Sequence, residues 1–188
     1  MHIIGRGLVK KGWRVIYFDY SSMFSDFGQN TQRLYQLWQQ YESESTHLVA
    51  HSLGGLIVLK MMRKFHLKNL PRTVFIGTPI NGSAVAKKLL RSFMGRMMLG
   101  KSLFALINGE KNKNGNRIGL IAGSRGLGIG HLIQPLPKPH DGVVAVQEVS
   151  LDDAEDKIVL PLTHATLLAS SQTVDAINDY LTTGRFKQ

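Results

Sequence analysis

The chain has 188 residues, with 43% hydrophobic and 19% charged residues, 19 Gly, 6 Pro and no Cys. That composition excludes a disordered or collagen-like protein, a disulfide framework and any cysteine-based nucleophile or zinc site. Its 23 Lys and Arg against 13 Asp and Glu leave a formal charge of +10, but the basic residues are scattered as Lys10/Lys11, Arg63/Lys64, Lys87/Lys88/Arg91, Lys111/Lys113 and Arg185/Lys187. This reads as a solvated basic surface rather than a nucleic-acid stripe.

No run approaches the roughly 20 apolar residues of a membrane-spanning helix. No signal peptide opens the chain, so the default expectation is a cytoplasmic protein.

The first segment, Ile3–Lys11, reads as a helix closed by Gly12 at the position after its C-cap. Trp13–Phe18 (WRVIYF) is rich in β-branched and aromatic residues and predicts a strand. Gln29–Tyr41 places Leu34, Leu37, Trp38 and Tyr41 at helical spacing. Thr46–Ala50 predicts a second strand and Leu53–Phe65 a helix that follows it almost without a linker. Arg72–Gly77, Arg117–Ala122 and Lys157–Leu160 predict further strands, and Thr173–Leu181 a closing helix.

The strands are near-continuously apolar, as parallel strands covered on both faces are. Strands alternating with helices predict an α/β fold, a mostly parallel sheet with helices on both faces. Neither an internal repeat nor a linker divides residues 1–188, so a single domain is expected.

Between the third and fourth strand candidates lies a long basic stretch, 84–107. It carries Leu89, Leu90, Phe93, Met94, Met97 and Met98 among Lys87, Lys88, Arg91, Arg96 and Lys101. It reads as a sheet-covering helix or as a lid over an apolar site. A third reading is a basic amphipathic helix making peripheral membrane contact.

The most informative segment is Ala50-His51-Ser52-Leu53-Gly54-Gly55. A strand runs into a serine, then a glycine pair, then a helix. That is the strand–turn–helix context of a nucleophile elbow, with Ala50 in place of the first glycine. Such a turn exposes the Ser52 hydroxyl at the carboxyl end of a strand, where α/β sheets hold ligands. It also sets the Leu53 N–H at a helix N-terminus, suited to an oxyanion.

A serine needs a base, and the base an orienting carboxylate. In elbow architectures the chain order is serine, acid, histidine. His164, directly after the last strand candidate, and Asp141, in the loop Pro139-His140-Asp141-Gly142, satisfy that order. Asp152, Asp153, Glu155 and Asp156 form a solvated acidic turn, Asp175 and Asp179 share a helix face, and Asp19 precedes the serine. His140 then shapes the acid loop, and His51 lines the turn.

With the motifs A-H-S-L-G-G (50–55), I-G-T-P-I-N-G-S (76–83), H-D-G-V-V-A-V (140–146) and L-T-H-A-T-L (162–167), the sequence resembles the α/β-hydrolase superfamily, close to its lipase/esterase-like bacterial branch. The resemblance implies Ser52 as nucleophile, Asp141 as acid and His164 as base. It also implies that His51, Thr78, Pro79 and Ser83 border the pocket. The expected activity is carboxylic ester hydrolysis on a small-molecule ester or lipid-like substrate, with no cofactor, no metal and no nucleic-acid partner, and no oligomeric state is implied. A non-catalytic hydrolase-like binding module and an acyltransferase or thioesterase using the same triad remain as alternatives.

Members of this superfamily carry an earlier strand and His-Gly loop between the counterparts of Trp13–Phe18 and Thr46–Ala50. That loop supplies the second oxyanion donor. The sequence holds no such segment, and an N-terminally incomplete domain is expected. With strands about 4.8 Å apart, its absence leaves a gap of about 10 Å unless Trp13–Phe18 shifts to pair directly.

Overall fold

The computed structural model describes residues 1–20, 26–43, 45–69, 71–84, 117–127 and 135–187. Four strands, β1 (Leu48–His51), β2 (Thr73–Ile76), β3 (Ile118–Gly123) and β4 (Asp156–Leu160), form one sheet in the order β1-β2-β3-β4. All three pairings are parallel, with Ala50 opposite Phe75, Phe75 opposite Leu120 and Leu120 opposite Lys157. Parallel strands are usually covered on both faces, and the two central strands β2 and β3 are.

The side chains alternate accordingly. Ala50, Phe75, Ile118 and Leu120 pack on one face against α2 (Phe27–Tyr41) and α3 (Leu53–Lys64). Val74, Ile76, Ile121 and Leu160 pack on the other against α1 (His2–Lys10) and the closing helix α4 (Ser171–Thr183). β2 and β3 are buried throughout, whereas Val159 of β4 is 43% exposed.

The helix ends follow local chemistry. Asp26 caps α2 by accepting from the Gly28 N–H at 2.7 Å, and Gln29 reaches back to the Asp26 N–H at 3.1 Å. Ser170 caps α4 through the Gln172 N–H. α1 runs to Lys10, and Gly12 follows with φ +93°. Tyr180 of α4 is fully buried, and its hydroxyl donates to Glu155 at 2.7 Å, so burial and the adjacent carboxylate push its ionisation upward.

Two sequence expectations change here. Trp13–Phe18 is not a strand: the described sheet ends at β1, and residues 13–20 pair with none of its strands. The segment is held instead by side chains. The Trp13 indole donates to Asn178 at 3.1 Å, and the Tyr17 ring lies against Gly5 and 4.6 Å from the His2 ring. β propensity describes a residue that fits a pleated surface, and no described strand pairs with this segment. The 84–107 stretch, apart from Ala84, lies outside the described residues, as do the lid and membrane readings attached to it. No helix among the described residues is long and apolar enough to cross a membrane.

The burial pattern separates core from margin. Ile121→Ala is expected to lower unfolding free energy by about 2–5 kcal/mol, because Ile121 is fully buried in the central sheet. Val159→Ala, on the exposed face of β4, is expected to change it by only about 0.5 kcal/mol. Paired urea titrations check the contrast, and equal losses would contradict this account of the core.

Candidate active site

The carboxyl ends of the four strands carry the candidate site. Ser52 follows β1 directly, and its N–H donates to the Ile76 carbonyl of β2 at 3.0 Å. Its backbone is at φ 51°, ψ −126°, and it is the only described non-glycine residue with positive φ. That conformation costs roughly 1–3 kcal/mol and persists only where the surroundings impose it. Here the last ladder bond of β1 and the immediate start of α3 at Leu53 impose it. The Leu53 N–H lies among the N-terminal amides of α3 that no helical carbonyl satisfies.

The need for small residues around the serine is located differently from the simple elbow rule. A Cβ on Gly54 would touch the Tyr20 side chain at ordinary contact distance, its hydroxyl at 3.4 Å. A Cβ on Gly55 would meet the Thr78 Oγ1 at 2.2 Å. The tight passage is therefore between α3 and the loop after β2. Ala50 is accommodated with 7% exposure in the core on the α2/α3 face.

Asp141 and His164 meet. The His164 Nδ1 and the Asp141 Oδ2 are hydrogen-bonded at 2.7 Å. The other carboxylate oxygen, Oδ1, accepts from the N–H groups of Val143 at 2.9 Å and Val144 at 2.7 Å. The His164 N–H also donates to the Asp141 carbonyl at 2.9 Å. The carboxylate is 1% exposed and fixed at both oxygens, so it presents the imidazole with one orientation.

His140 supports the loop by accepting from the Gly142 N–H at 3.1 Å, and it is itself buried. The pair rests on Gly77, the residue after β2. With φ +51°, a Cβ there would lie 3.1 Å from the His164 Nδ1 and 3.3 Å from the Asp141 Oδ2. A side chain at residue 77 would therefore both strain the turn and press on the pair.

His51 completes this arrangement from the other side. Its ring centroid is 4.5 Å from that of His164. Burial, then the neighbouring His164, lower its pKa to about 3, against a smaller opposing effect of Asp141. It is a neutral ring at ordinary pH, and its Nε2 is buried without a hydrogen-bond partner.

Of the remaining expected pocket residues, Thr78, Pro79 and Ser83 are all buried, with Thr78 against the start of α3. A cleft of about 940 Å³ opens beside β1, lined by His51 and not by those three. Among the described residues no hydrogen bond joins the Ser52 hydroxyl to His164.

Two contributors carried no signal in the sequence. Glu148 ties the acid loop to the loop after β2, accepting from the Ala145 N–H at 2.9 Å and the Ala84 N–H at 2.7 Å. Tyr20 approaches Gly54 of the elbow from a segment that motif reading left aside, and burial raises its ionisation. A lone Glu or Tyr has no diagnostic spacing, so neither could be found before the loops were placed. Among the described residues no cluster of His, Asp and Glu is arranged to hold a metal ion.

With this geometry in place, comparison with known structures becomes informative. The mature lipase BlEst2 of Bacillus licheniformis superposes with a TM-score of 0.72, covering 96% of this chain and 83% of that one at 16% identity. An esterase of Exiguobacterium antarcticum gives 0.67, with 97% and 86% covered at 13% identity. Phospholipase PlaB of Legionella pneumophila gives 0.54, with 77% and 40% covered at 19% identity. No family model matches the sequence, and no curated protein matches it. The fold is α/β-hydrolase-like.

The neutral His51 makes stability pH-dependent. Its folded pKa of about 3 lies below the ordinary value of 6.5, so between those values the unfolded chain binds the proton more readily. Acidification through that window destabilises the fold by up to about 1.4 kcal/mol per pH unit. His51→Gln is expected to flatten this slope in urea midpoints measured from pH 7.5 to pH 4.5. An unchanged slope would show that His51 protonates freely in the folded state.

Proposed function

We propose that the protein is a serine hydrolase of carboxylic esters bearing lipid-like or apolar acyl groups. The observation that carries this reading is the pairing of buried Asp141 with half-buried His164, set against Gly77 at the end of β2, with Ser52 in its strained turn at the end of β1. The lipase, the esterase and the phospholipase that share the fold agree with the substrate class. Their low identity leaves the chemistry to be argued from residues.

In the proposed reaction Ser52 Oγ attacks the ester carbonyl, and the bond from carbonyl carbon to the leaving alcohol breaks after a tetrahedral intermediate. Asp141 holds the His164 Nδ1, so Nε2 is the nitrogen that takes the serine proton and returns it to the departing alcohol. The carboxylate also steadies the imidazolium that forms between those steps. Water then enters, loses its proton to the same imidazole and releases the acid from Ser52. The Leu53 N–H, at the positive end of α3, stabilises the oxyanion. The neutral His51 ring packs on His164 without adding a second positive charge beside it. No step calls for a metal or an organic cofactor.

One observation favours a second reading. The Ser52 hydroxyl makes no described hydrogen bond to the imidazole, which suits a hydrolase-like module that binds without turnover. Catalytic hydrogen bonds are often long without substrate and tighten on binding, so the hydrolase reading is retained.

Hydrolysis of a p-nitrophenyl ester series separates the two. The proposal expects turnover that rises with acyl length and falls to background in Ser52→Ala. Asp141→Asn is expected to lower kcat by about 10⁴-fold with little change in KM, because it leaves the imidazole in the wrong tautomer. Activity that survives Ser52→Ala would overturn the assignment, and absence of turnover in the unmodified protein would favour the binding module.

A further inference from the structure

The loop after β2 touches both halves of the candidate site. At its start Gly77 lies against the His164 imidazole and the Asp141 carboxylate, and Thr78 lies against Gly55 of α3. The loop is closed on itself: the Ile80 N–H donates to the Thr78 carbonyl at 2.9 Å, and the Gly82 N–H to the Pro79 carbonyl at 3.0 Å. A loop closed in this way moves as one piece. Its far end, 81–84, therefore sets how its near end meets the elbow and the pair.

Glu148, half-buried in the acid loop, holds that far end. Its Oε1 accepts from the Ala84 N–H at 2.7 Å and its Oε2 from the Ala145 N–H at 2.9 Å. The two bonds differ in kind. Ala145 belongs to the turn of Glu148 itself, where the Glu148 N–H also donates to the Ala145 carbonyl at 2.9 Å. Ala84 is 64 residues away along the chain. One oxygen thus orders the acid loop locally, and the other spans to a second loop. Asn81 adds a strut from the opposite side. Its Nδ2 donates to the Ser150 carbonyl at 3.1 Å, and its N–H to the Glu148 carbonyl at 3.2 Å. Hydrogen bonds to a carboxylate are the stronger kind, so Glu148 dominates the junction.

Ser52 and His164 reach the site by separate routes. β1 and α3 set the serine, and the acid loop sets the imidazole. Among the described residues no hydrogen bond joins them. The loop after β2 packs on both, and Glu148 fixes that loop to the acid loop.

We propose that Glu148 is a positioning residue: by joining the two loops it sets the approach of the Ser52 hydroxyl to the His164 imidazole. The role rests on the serine-hydrolase reading of the site. Glu148 acts through the loops and takes no proton in the reaction.

Glu148→Gln isolates the effect. The amide keeps the size of the carboxylate but offers one acceptor and one donor group. Holding a local turn costs less chain entropy than holding a remote segment. The remaining oxygen therefore stays on Ala145, and an NH2 group faces the Ala84 N–H. Donor meets donor, and the bridge opens at Ala84.

Fluorophosphonate labelling of Ser52 and ester kinetics are compared in the unmodified protein, Glu148→Gln, His164→Gln and the double variant. Glu148→Gln is expected to lower kcat and the labelling rate at least about tenfold, with KM changed by less than about twofold, since misplacement by about 1 Å costs up to about 100-fold. In the His164→Gln background the same change is expected to make no difference, because the group being positioned is gone. Amide exchange should quicken at Ala84 and stay as it was at Ala145. Asn81→Ala, at an exposed position, should give a smaller loss with the same dependence on His164. Gln147→Ala, an exposed neighbour, should behave as the unmodified protein.

Equal rates with and without the Glu148 carboxylate would overturn this role and leave the hydrolase reading standing. So would a loss that persists in the His164→Gln background, which would mark Glu148 as a prop for the fold. Unchanged exchange at Ala84 would show that the bridge never opened where the role requires it, and would equally overturn it. A protein that never labels would overturn the hydrolase reading itself, and the role with it.

Discussion

The candidate site depends on one hydrogen bond, between the Asp141 carboxylate and the His164 imidazole at 2.7 Å. A buried carboxylate is costly unless its oxygens are satisfied. Two backbone amides meet one oxygen and the imidazole meets the other. The acid loop is held in turn by Glu148 and by the buried His140. The loop after β4 is tied to it through the His164 N–H and the Asp141 carbonyl. Two segments 23 residues apart thus behave as one piece at the carboxyl edge of the sheet, while the strained Ser52 turn is imposed separately by β1 and α3.

Around this pair the structure reserves space by omission. Gly77 yields room for the imidazole and the carboxylate, and Gly55 yields room for Thr78 beneath the elbow. Neutral His51 fills the remaining side without bringing a charge. At both glycines the backbone passes so close to a neighbouring side chain that one methyl would displace the geometry.

Much of this was legible in the residues. Continuous apolar runs such as Thr73–Ile76 announced buried parallel strands, and the Ala50–Gly55 turn announced the elbow. Asp141 and His164 were reachable by chain order, because the alternatives sat in a solvated turn, on a helix or ahead of the serine. Trp13–Phe18 has a composition that suits a strand, but strand formation needs a paired edge as well, and no described strand pairs with this segment. Direct pairing of that segment with β1 is not seen among the described residues. Glu148 was hidden because its partners, Ala84 and Ala145, are brought together only by the fold.

The central claim is that His164, oriented by Asp141, makes the Ser52 hydroxyl a nucleophile. The most direct measurement is the rate at which a fluorophosphonate modifies the protein, with the adduct located by mass spectrometry. The account predicts a single adduct on Ser52, formed at least a hundredfold more slowly in His164→Gln. A protein that never reacts, or that reacts equally fast with and without the imidazole, would contradict it.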